Sequence, residues 1–189
     1  RKGSQPVKHL RFTSVLAAAA MAATISGGAS AADPENTIFL DLEYGRVVIE
    51  LRPDLAPVTV ARIKELARQK FYDGTPFHRV IPGFMAQGGD PTGTGTSGSG
   101  KKLKAEFSNE KHVRGTVSMA RAQSPDSADS QFFICFATAS HLDGQYTVWG
   151  KVVQGMEFVD KIKKGSGGGG TVSDPDKIKQ MRVAADVKG

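Results

Sequence analysis

Few side chains in this chain have the type and spacing to carry chemistry on their own. The four histidines, His9, His78, His112 and His141, show no metal-ligand spacing, so no metal site is expected. The one cysteine, Cys135, has no partner for an internal disulfide and lies in an apolar run, where a thiol reads as a small buried hydrophobe. No serine sits in a G-x-S-x-G turn, and no Ser-His-Asp or Cys-His set emerges from the order of residues, so covalent hydrolysis has weak support. Gly93-Thr94-Gly95-Thr96-Ser97-Gly98 matches a dinucleotide-binding pattern, but no helix-forming run follows it and no acidic residue closes a βαβ unit behind it. Gly95 to Lys102 nearly spells a phosphate-binding loop, yet Lys102 stands where Ser or Thr must hold magnesium. What remains is the block Phe77-His78-Arg79-Val80-Ile81-Pro82-Gly83-Phe84-Met85-Ala86-Gln87-Gly88-Gly89-Asp90, which sets a guanidinium and one side-chain amide among apolar and aromatic residues.

The elements that must position this block are mostly strands. Thr37 to Leu42 and Gly45 to Leu51 are β-branched, partly alternating runs, with Glu43-Tyr44-Gly45 at hairpin spacing between them. Between Pro57 and Lys70, Val60, Ile63, Leu66 and Ala67 recur at helical spacing, with Pro57 where a helix start tolerates it. Short strand candidates follow at Phe77 to Ile81, Phe84 to Gln87, Leu103 to Phe107, Thr116 to Arg121, Gln131 to Phe136, Tyr146 to Val153 and Lys179 to Val187. A second helix fits Met156 to Lys163, where Phe158, Val159 and Ile162 share a face. Spacing alone indicates a closed antiparallel sheet with two helices as caps. The glycine-rich stretches Gly88 to Gly100 and Gly165 to Gly170 fall between strand candidates and read as surface loops.

Length and composition agree with one globular domain. At 189 residues, with 39% hydrophobic and 23% charged residues, the chain can build a sizeable core, and 22 glycines favour a β-rich architecture. The formal charge of +6 is no sign of a nucleic-acid partner, because Arg1, Lys2, Lys8 and Arg11 supply most of it and residues 1–31 contain no acid. That stretch reads as a secretory leader: a basic start, an apolar run from Phe12 to Ile25, and Ala29-Ser30-Ala31 as a cleavage site. The run is about 14 residues long against roughly 20 for a span, so no stable membrane anchor is expected. The expected organisation is a signal peptide at 1–31, a domain at 36–187, and a periplasmic or secreted location.

The block from Phe77 to Asp90 resembles the signature of the cyclophilins. It is followed at family-like spacing by Gly115-Thr116-Val117-Ser118-Met119-Ala120-Arg121, then Ser130-Gln131-Phe132-Phe133-Ile134, then Leu142-Asp143-Gly144 and Val148-Trp149-Gly150-Lys151-Val152. With their flanking elements these blocks cover residues 36 to 187. The resemblance implies a mainly β fold, a closed eight-stranded antiparallel barrel capped by two α-helices. It also implies peptidyl-prolyl cis-trans isomerase activity with no cofactor. The substrates would be proline-containing segments of unfolded or exposed polypeptides, here exported proteins.

The resemblance also assigns roles. Arg79 matches the catalytic donor. Rotation about a peptide bond meets a barrier of about 18–20 kcal/mol, while the two X-Pro isomers differ by only about 0.5–1 kcal/mol, so the barrier alone needs lowering. In the twisted amide the proline nitrogen regains its lone pair, and a donor directed there binds the transition state selectively. Gln131 matches a substrate-orienting amide and Gln87 a supporting polar residue. Phe84, Met85, Phe133 and Leu142 match the apolar pocket for the proline ring. Ala120, Arg121 and Ala122 match the edge along which the substrate backbone lies. His78 is read as either pocket wall or support.

Departures from the family pattern limit what carries over, and Gly88 to Gly100 differs most, which leaves substrate preference beyond proline open. His141 stands where many members have Trp, a position that contributes to binding cyclosporin, so that binding is expected to be weakened. Tyr146 occupies the place of a frequent pocket His. The competing reading of the whole chain is a proline-directed binding module or chaperone with incidental catalysis, against which Arg79 argues, since a pure binder has no use for a transition-state donor. A monomer is the expected state.

Overall fold

A computed structural model of the chain describes residues 32–188 and, ahead of them, Gly3. The expected cleavage site and apolar run of the leader lie outside the described residues. The elements run in the order β1 (Thr37–Leu42), β2 (Gly45–Leu51), α1 (Pro57–Arg68), β3 (Arg79–Ile81), β4 (Met85–Gly88), β5 (Thr116–Met119), β6 (Phe132–Cys135), β7 (Val148–Gln154), α2 (Met156–Val159) and β8 (Gln180–Val183). The eight strands form one antiparallel sheet in the order β3-β4-β6-β5-β7-β2-β1-β8.

That order corrects the expectation of a closed barrel: the sheet curls into a half-barrel and stays open between β3 and β8. The two edges approach only through the segments that precede them, where Gly74 N donates to Ile178 O at 2.7 Å, Phe77 N to Asp176 O at 2.9 Å and Ile178 N to Thr75 O at 2.9 Å. Pro76 lies in the middle of this contact and has no N–H to continue a ladder. The free edge of β3 is instead covered by the second glycine-rich loop. Val80 N donates to Gly170 O at 2.8 Å, and Gly165 N to Val80 O at 2.9 Å.

The first helix forms as its spacing predicts, burying Val60, Ile63, Leu66 and Ala67. Its N-terminus has no cap from Ala56. The Glu106 carboxylate supplies one from a distance, accepting from Val58 N at 3.0 Å, Thr59 N at 2.8 Å and Thr59 Oγ1 at 2.7 Å. This explains why Leu103 to Phe107 is not a strand, contrary to its β-like composition. Ala105 N donates to Asp126, Glu106 N donates to Thr147 Oγ1, and only Leu103 makes a bridge, to Ala128. The second helix is a single turn and not the longer element expected to Lys163. Lys161 N and Ile162 N turn to acceptors three residues back, and Lys163 N leaves for the Asp176 carboxylate at 2.8 Å. Phe158 of this turn lies where a side chain on Gly45 would stand, 2.6 Å from an added Cβ, so the β1–β2 hairpin needs glycine there.

Alternation along the strands sorts side chains to two faces. Val80, Ala86, Val117, Met119, Phe132 and Ile134 enter the main core, where Phe132 meets Tyr72, Phe77 and Trp149 edge-on at 5.6, 6.4 and 5.8 Å between ring centroids. Tyr72 satisfies its hydroxyl by donating to Ser130 O at 2.9 Å. The opposite face carries a second, smaller apolar cluster of Met85, Phe133, Cys135, Ala139 and Leu142.

The first glycine-rich loop is organised by Asp90. Its fully buried carboxylate accepts from Thr92 N and Oγ1 at 2.8 Å each, Gly95 N at 2.7 Å and Ser97 N at 3.2 Å. Two amides that a phosphate would need are therefore already occupied, which is why the dinucleotide-like pattern has no such role. Burial opposes ionisation of Asp90, but the bonds from Thr92, Ser97 and Gly95 outweigh it and hold the carboxyl at about 2. A pKa depressed on folding contributes stability that is present above the unfolded value near 4 and is lost as pH falls towards 2, about 2 kcal/mol in all. We expect Asp90→Asn to unfold earlier in denaturant at neutral pH by about that amount. Its stability should also fall less steeply than wild type between about pH 4 and pH 2. Parallel slopes for the two proteins in that range would contradict this account of Asp90.

Candidate active site

The strand register builds the site. Arg79 pairs with Gln87, Gln87 with Phe133 and Phe133 with Ser118, so one row crosses β3, β4, β6 and β5 on the face away from the main core. A second row pairs Ile81 with Met85 and Met85 with Cys135. Gln131 stands just before β6 and Ala120 just after β5, where Ala120 N donates to Gln131 O at 3.0 Å. Residues 44 to 50 positions apart in sequence thus become neighbours on β4 and β6 through antiparallel pairing alone.

Arg79 is exposed and held at two points. Its Nε donates to Gly169 O at 3.0 Å and its Nη1 to Gln87 Oε1 at 3.2 Å. The remaining three N–H groups have no partner among the described residues. Gln87 passes the contact on, donating from Nε2 to Gln131 Oε1 at 3.0 Å, and Gln131 Nε2 donates to Ser97 O at 2.9 Å. The relay fixes the two amides by orienting each oxygen toward a donor. It also anchors Arg79 from both glycine-rich loops.

Beside Arg79 opens an apolar cleft of about 130 Å³, lined by Arg79, Phe84, Met85, Gln87, Ala120, Arg121, Phe133, Leu142 and Tyr146. The structure therefore brings nine of the twelve residues singled out from the sequence to one place. Gln131 and Ala122 line an adjoining cavity of about 350 Å³ with Gly95, Ser97, Lys102 and Asp129, and Gln87, Ala120 and Arg121 border both. His78 does not reach the cleft. It is buried, with its ring 3.1 Å from where a Cβ on Gly95 would stand. Burial pushes its pKa down, against the pull of Asp90. His141 is exposed, with its ring 5.3 Å from that of Phe84, which lines the cleft.

One group under the cleft carried no sequence signal. His112 is fully buried, stacked 6.0 Å from Phe133 and edge-on to Tyr146 at 6.4 Å. Its Nδ1 lies 3.1 Å from Asp143 Oδ1 and its Nε2 3.1 Å from Ser118 Oγ, the connectivity of a hydrolase triad. Ser118 is nevertheless no nucleophile, because it has no exposure and its hydroxyl donates to Thr147 O at 2.9 Å. Burial lowers the pKa of His112, although Asp143 opposes this. The set supports Phe133 and Tyr146 from below. Cys135, also buried, has its thiol pushed up to about 12 by burial, which leaves it an inert hydrophobe. Among the described residues no three His, Cys, Asp or Glu side chains are placed to hold a metal ion.

An apolar cleft with a forked donor at its rim and no placed nucleophile suits a non-covalent reaction on a small apolar group beside a polar bond. The family model for the cyclophilin-type peptidyl-prolyl cis-trans isomerases matches residues 37–183. The chain belongs to that family. It is 56% identical over 191 residues to a probable peptidyl-prolyl cis-trans isomerase of Brucella suis, covering 93% of this chain and 97% of the relative. It is 44% identical over 147 residues to peptidyl-prolyl cis-trans isomerase B of Bacillus subtilis, covering 77% and 95%. Among solved structures, a cyclophilin of Hirschia baltica superposes with a TM-score of 0.74 at 28% identity, covering 82% of this chain and 76% of that one. A cyclophilin-type isomerase of Cryptosporidium parvum, crystallised in the presence of the dipeptide Ala-Pro, superposes with a TM-score of 0.71 at 31% identity, covering 78% and 98%. The activity of this cyclophilin is peptidyl-prolyl cis-trans isomerisation.

Proposed function

We propose that the cleft takes the proline ring of an X-Pro segment and that Arg79 lowers the rotation barrier by donating to the proline nitrogen as the amide twists. The observation that carries this is the state of Arg79: fixed by Gly169 O and Gln87, with three N–H groups left over at the rim of an apolar cleft. In the planar amide the nitrogen lone pair is delocalised and accepts poorly; after a quarter turn it is localised and accepts well. The interaction therefore grows towards the transition state, the condition for raising the rate and not merely the affinity. Lowering the barrier by about 6 kcal/mol would turn an exchange of tens to hundreds of seconds into hundreds of turnovers per second. The Ala-Pro dipeptide in the Cryptosporidium parvum crystals supports the substrate class.

Phe133, Met85, Leu142 and Phe84 exclude water from the ring, and the Gln87–Gln131 relay offers an amide to the flanking peptide carbonyl. Proline exchange in a short Ala-Pro peptide tests this reading. Wild type should accelerate exchange by several orders of magnitude, and Phe133→Ala should raise KM by roughly tenfold or more, the loss of most of a buried aromatic contact. Acceleration by Phe133→Ala with an unchanged KM would show that the ring binds elsewhere.

From the leader-like residues 1–31 we also propose that the clients are exported proteins, in the periplasm or outside the cell. Cell fractionation checks this, and recovery in the cytoplasm with residues 1–31 retained would refute it. We take the protein to act as a monomer, the default for a chain whose sequence pattern leaves no long apolar face. With His141, beside Phe84, standing where many family members have Trp, cyclosporin binding is expected to be weakened.

A further inference from the structure

The charge balance around the cleft singles out Arg121. Residues 32–188 contain eight arginines, and Arg46, Arg52, Arg62, Arg68, Arg114 and Arg182 each meet a carboxylate at 2.6–2.9 Å. The two with no carboxylate partner among the described residues are Arg79 and Arg121, and both line the proline cleft. None of the residues lining that cleft is acidic. In the adjoining cavity the one acid, Asp129, is already engaged. It accepts from Ser99 N and Oγ at 2.6 Å and from Gly100 N at 3.1 Å, and faces Lys102 Nζ at 3.7 Å.

Arg121 is fixed by carbonyl groups. Nε and Nη2 donate to Gln145 O at 3.0 and 2.9 Å, and Nη1 donates to Ala122 O at 2.9 Å and Gln123 O at 3.0 Å. Its guanidinium also lies over the Tyr146 ring at 4.7 Å. Carbonyl dipoles set its orientation without cancelling its charge, and one N–H stays uncommitted. Two guanidiniums without a counter-charge, on a face that a bound peptide would cover, leave a positive potential that the substrate itself must neutralise. A peptide lying over the face also displaces water, which strengthens any charge pairing made there.

We propose that Arg121 is a specificity-determining residue that selects prolines flanked by an acidic residue and disfavours prolines flanked by lysine. Arg79 adds to the same field, but its donors are committed to the reacting amide. Arg121 borders both cavities, so a carboxylate next to the proline falls within its reach whether it lies in the cleft mouth or in the adjoining cavity. The inference rests on the reading of the cleft as the X-Pro site.

The test compares kcat/KM for peptides of equal length carrying Glu, Ala or Lys beside the proline, on each side in turn, with wild type, Arg121→Lys and Arg121→Gln. For wild type the Glu peptide should exceed the Lys peptide by roughly tenfold at about 0.01 M salt and by about twofold or less at about 1 M, where charges are screened within a few ångströms. Arg121→Lys keeps the charge and should retain most of the ratio. Arg121→Gln should bring it to about twofold or less at low salt. Equal rates on the Glu and Lys peptides, with the Ala peptide still accelerated by wild type, overturn the inference alone. No acceleration of the Ala peptide overturns the reading of the cleft. A Glu preference that survives both high salt and Arg121→Gln shows that the selection does not come from this charge.

Discussion

Replacing Arg79 by alanine is expected to reduce kcat/KM on an Ala-Pro peptide by roughly 10²–10³-fold, the usual cost of removing one preorganised transition-state donor. Peptide affinity should change by less than about threefold, since the apolar cleft stays intact and the planar amide gains little from the guanidinium. The fold should tolerate the change within about 0.5 kcal/mol, because Arg79 is exposed and its removal orphans only Gly169 O and one lone pair of Gln87, both of which water can reach. Arg79→Lys should fall between the two, because an ammonium can replace one contact but cannot span Gly169 O, Gln87 and a substrate together. Exchange rates from nuclear magnetic resonance, with peptide titrations on the same samples, separate the two quantities. Full activity in Arg79→Ala, or a loss wholly in affinity, would remove Arg79 from the chemistry.

Gly170→Ala is expected to cost roughly ten- to a hundredfold in kcat although residue 170 does not line the cleft. Gly170 has φ +71, and an added Cβ would stand 2.5 Å from Ile81 Cγ1 and 3.0 Å from Val80 O. The side chain would push the loop from the edge of β3, break the Val80 N to Gly170 O bond of 2.8 Å and carry Gly169 O away from Arg79 Nε. Strain of this kind costs about 1–3 kcal/mol locally. The larger loss is in rate, because a guanidinium free to wander no longer sits where the twisted nitrogen appears. Gly168→Ala is the control. It lies on the same loop, an added Cβ there meets nothing within 4 Å, and its φ lies outside the left-handed range, so activity and stability should be unchanged. In an Arg79→Ala background, Gly170→Ala should have little further effect on rate, since the contact it disturbs is already absent. Additive losses in that double variant would show that the loop acts through something other than Arg79.

The route by which each contact was legible differs. Helix α1 and strands β1, β2 and β4 to β7 follow from periodicity, because their hydrogen bonds and apolar faces obey local rules. Leu103 to Phe107 misleads because its composition suits a strand while its amides are claimed by Asp126 and Thr147 and its Glu106 caps α1. His112 gave no signal, since what matters about it lies 31 residues away at Asp143. The second glycine-rich loop reads as a plain surface connection, yet its carbonyl at Gly169 reaches Arg79 across 90 residues.

Residue order and type by themselves determined the strand-rich architecture, because alternation fixes which side chains share a face, and the motif blocks that resemble a cyclophilin; through that resemblance they named twelve site residues, nine of which line one cleft. Tertiary structure alone decided that the sheet stays open between β3 and β8, that Arg79 lines the cleft and its neighbour His78 does not, that a triad-like set is buried beyond use, and which two arginines among the described residues lack a carboxylate. Each of these depends on where distant backbone groups and charges meet after the chain has closed on itself. Pairing across the sheet, and the competition of each donor for its acceptor, exist only there.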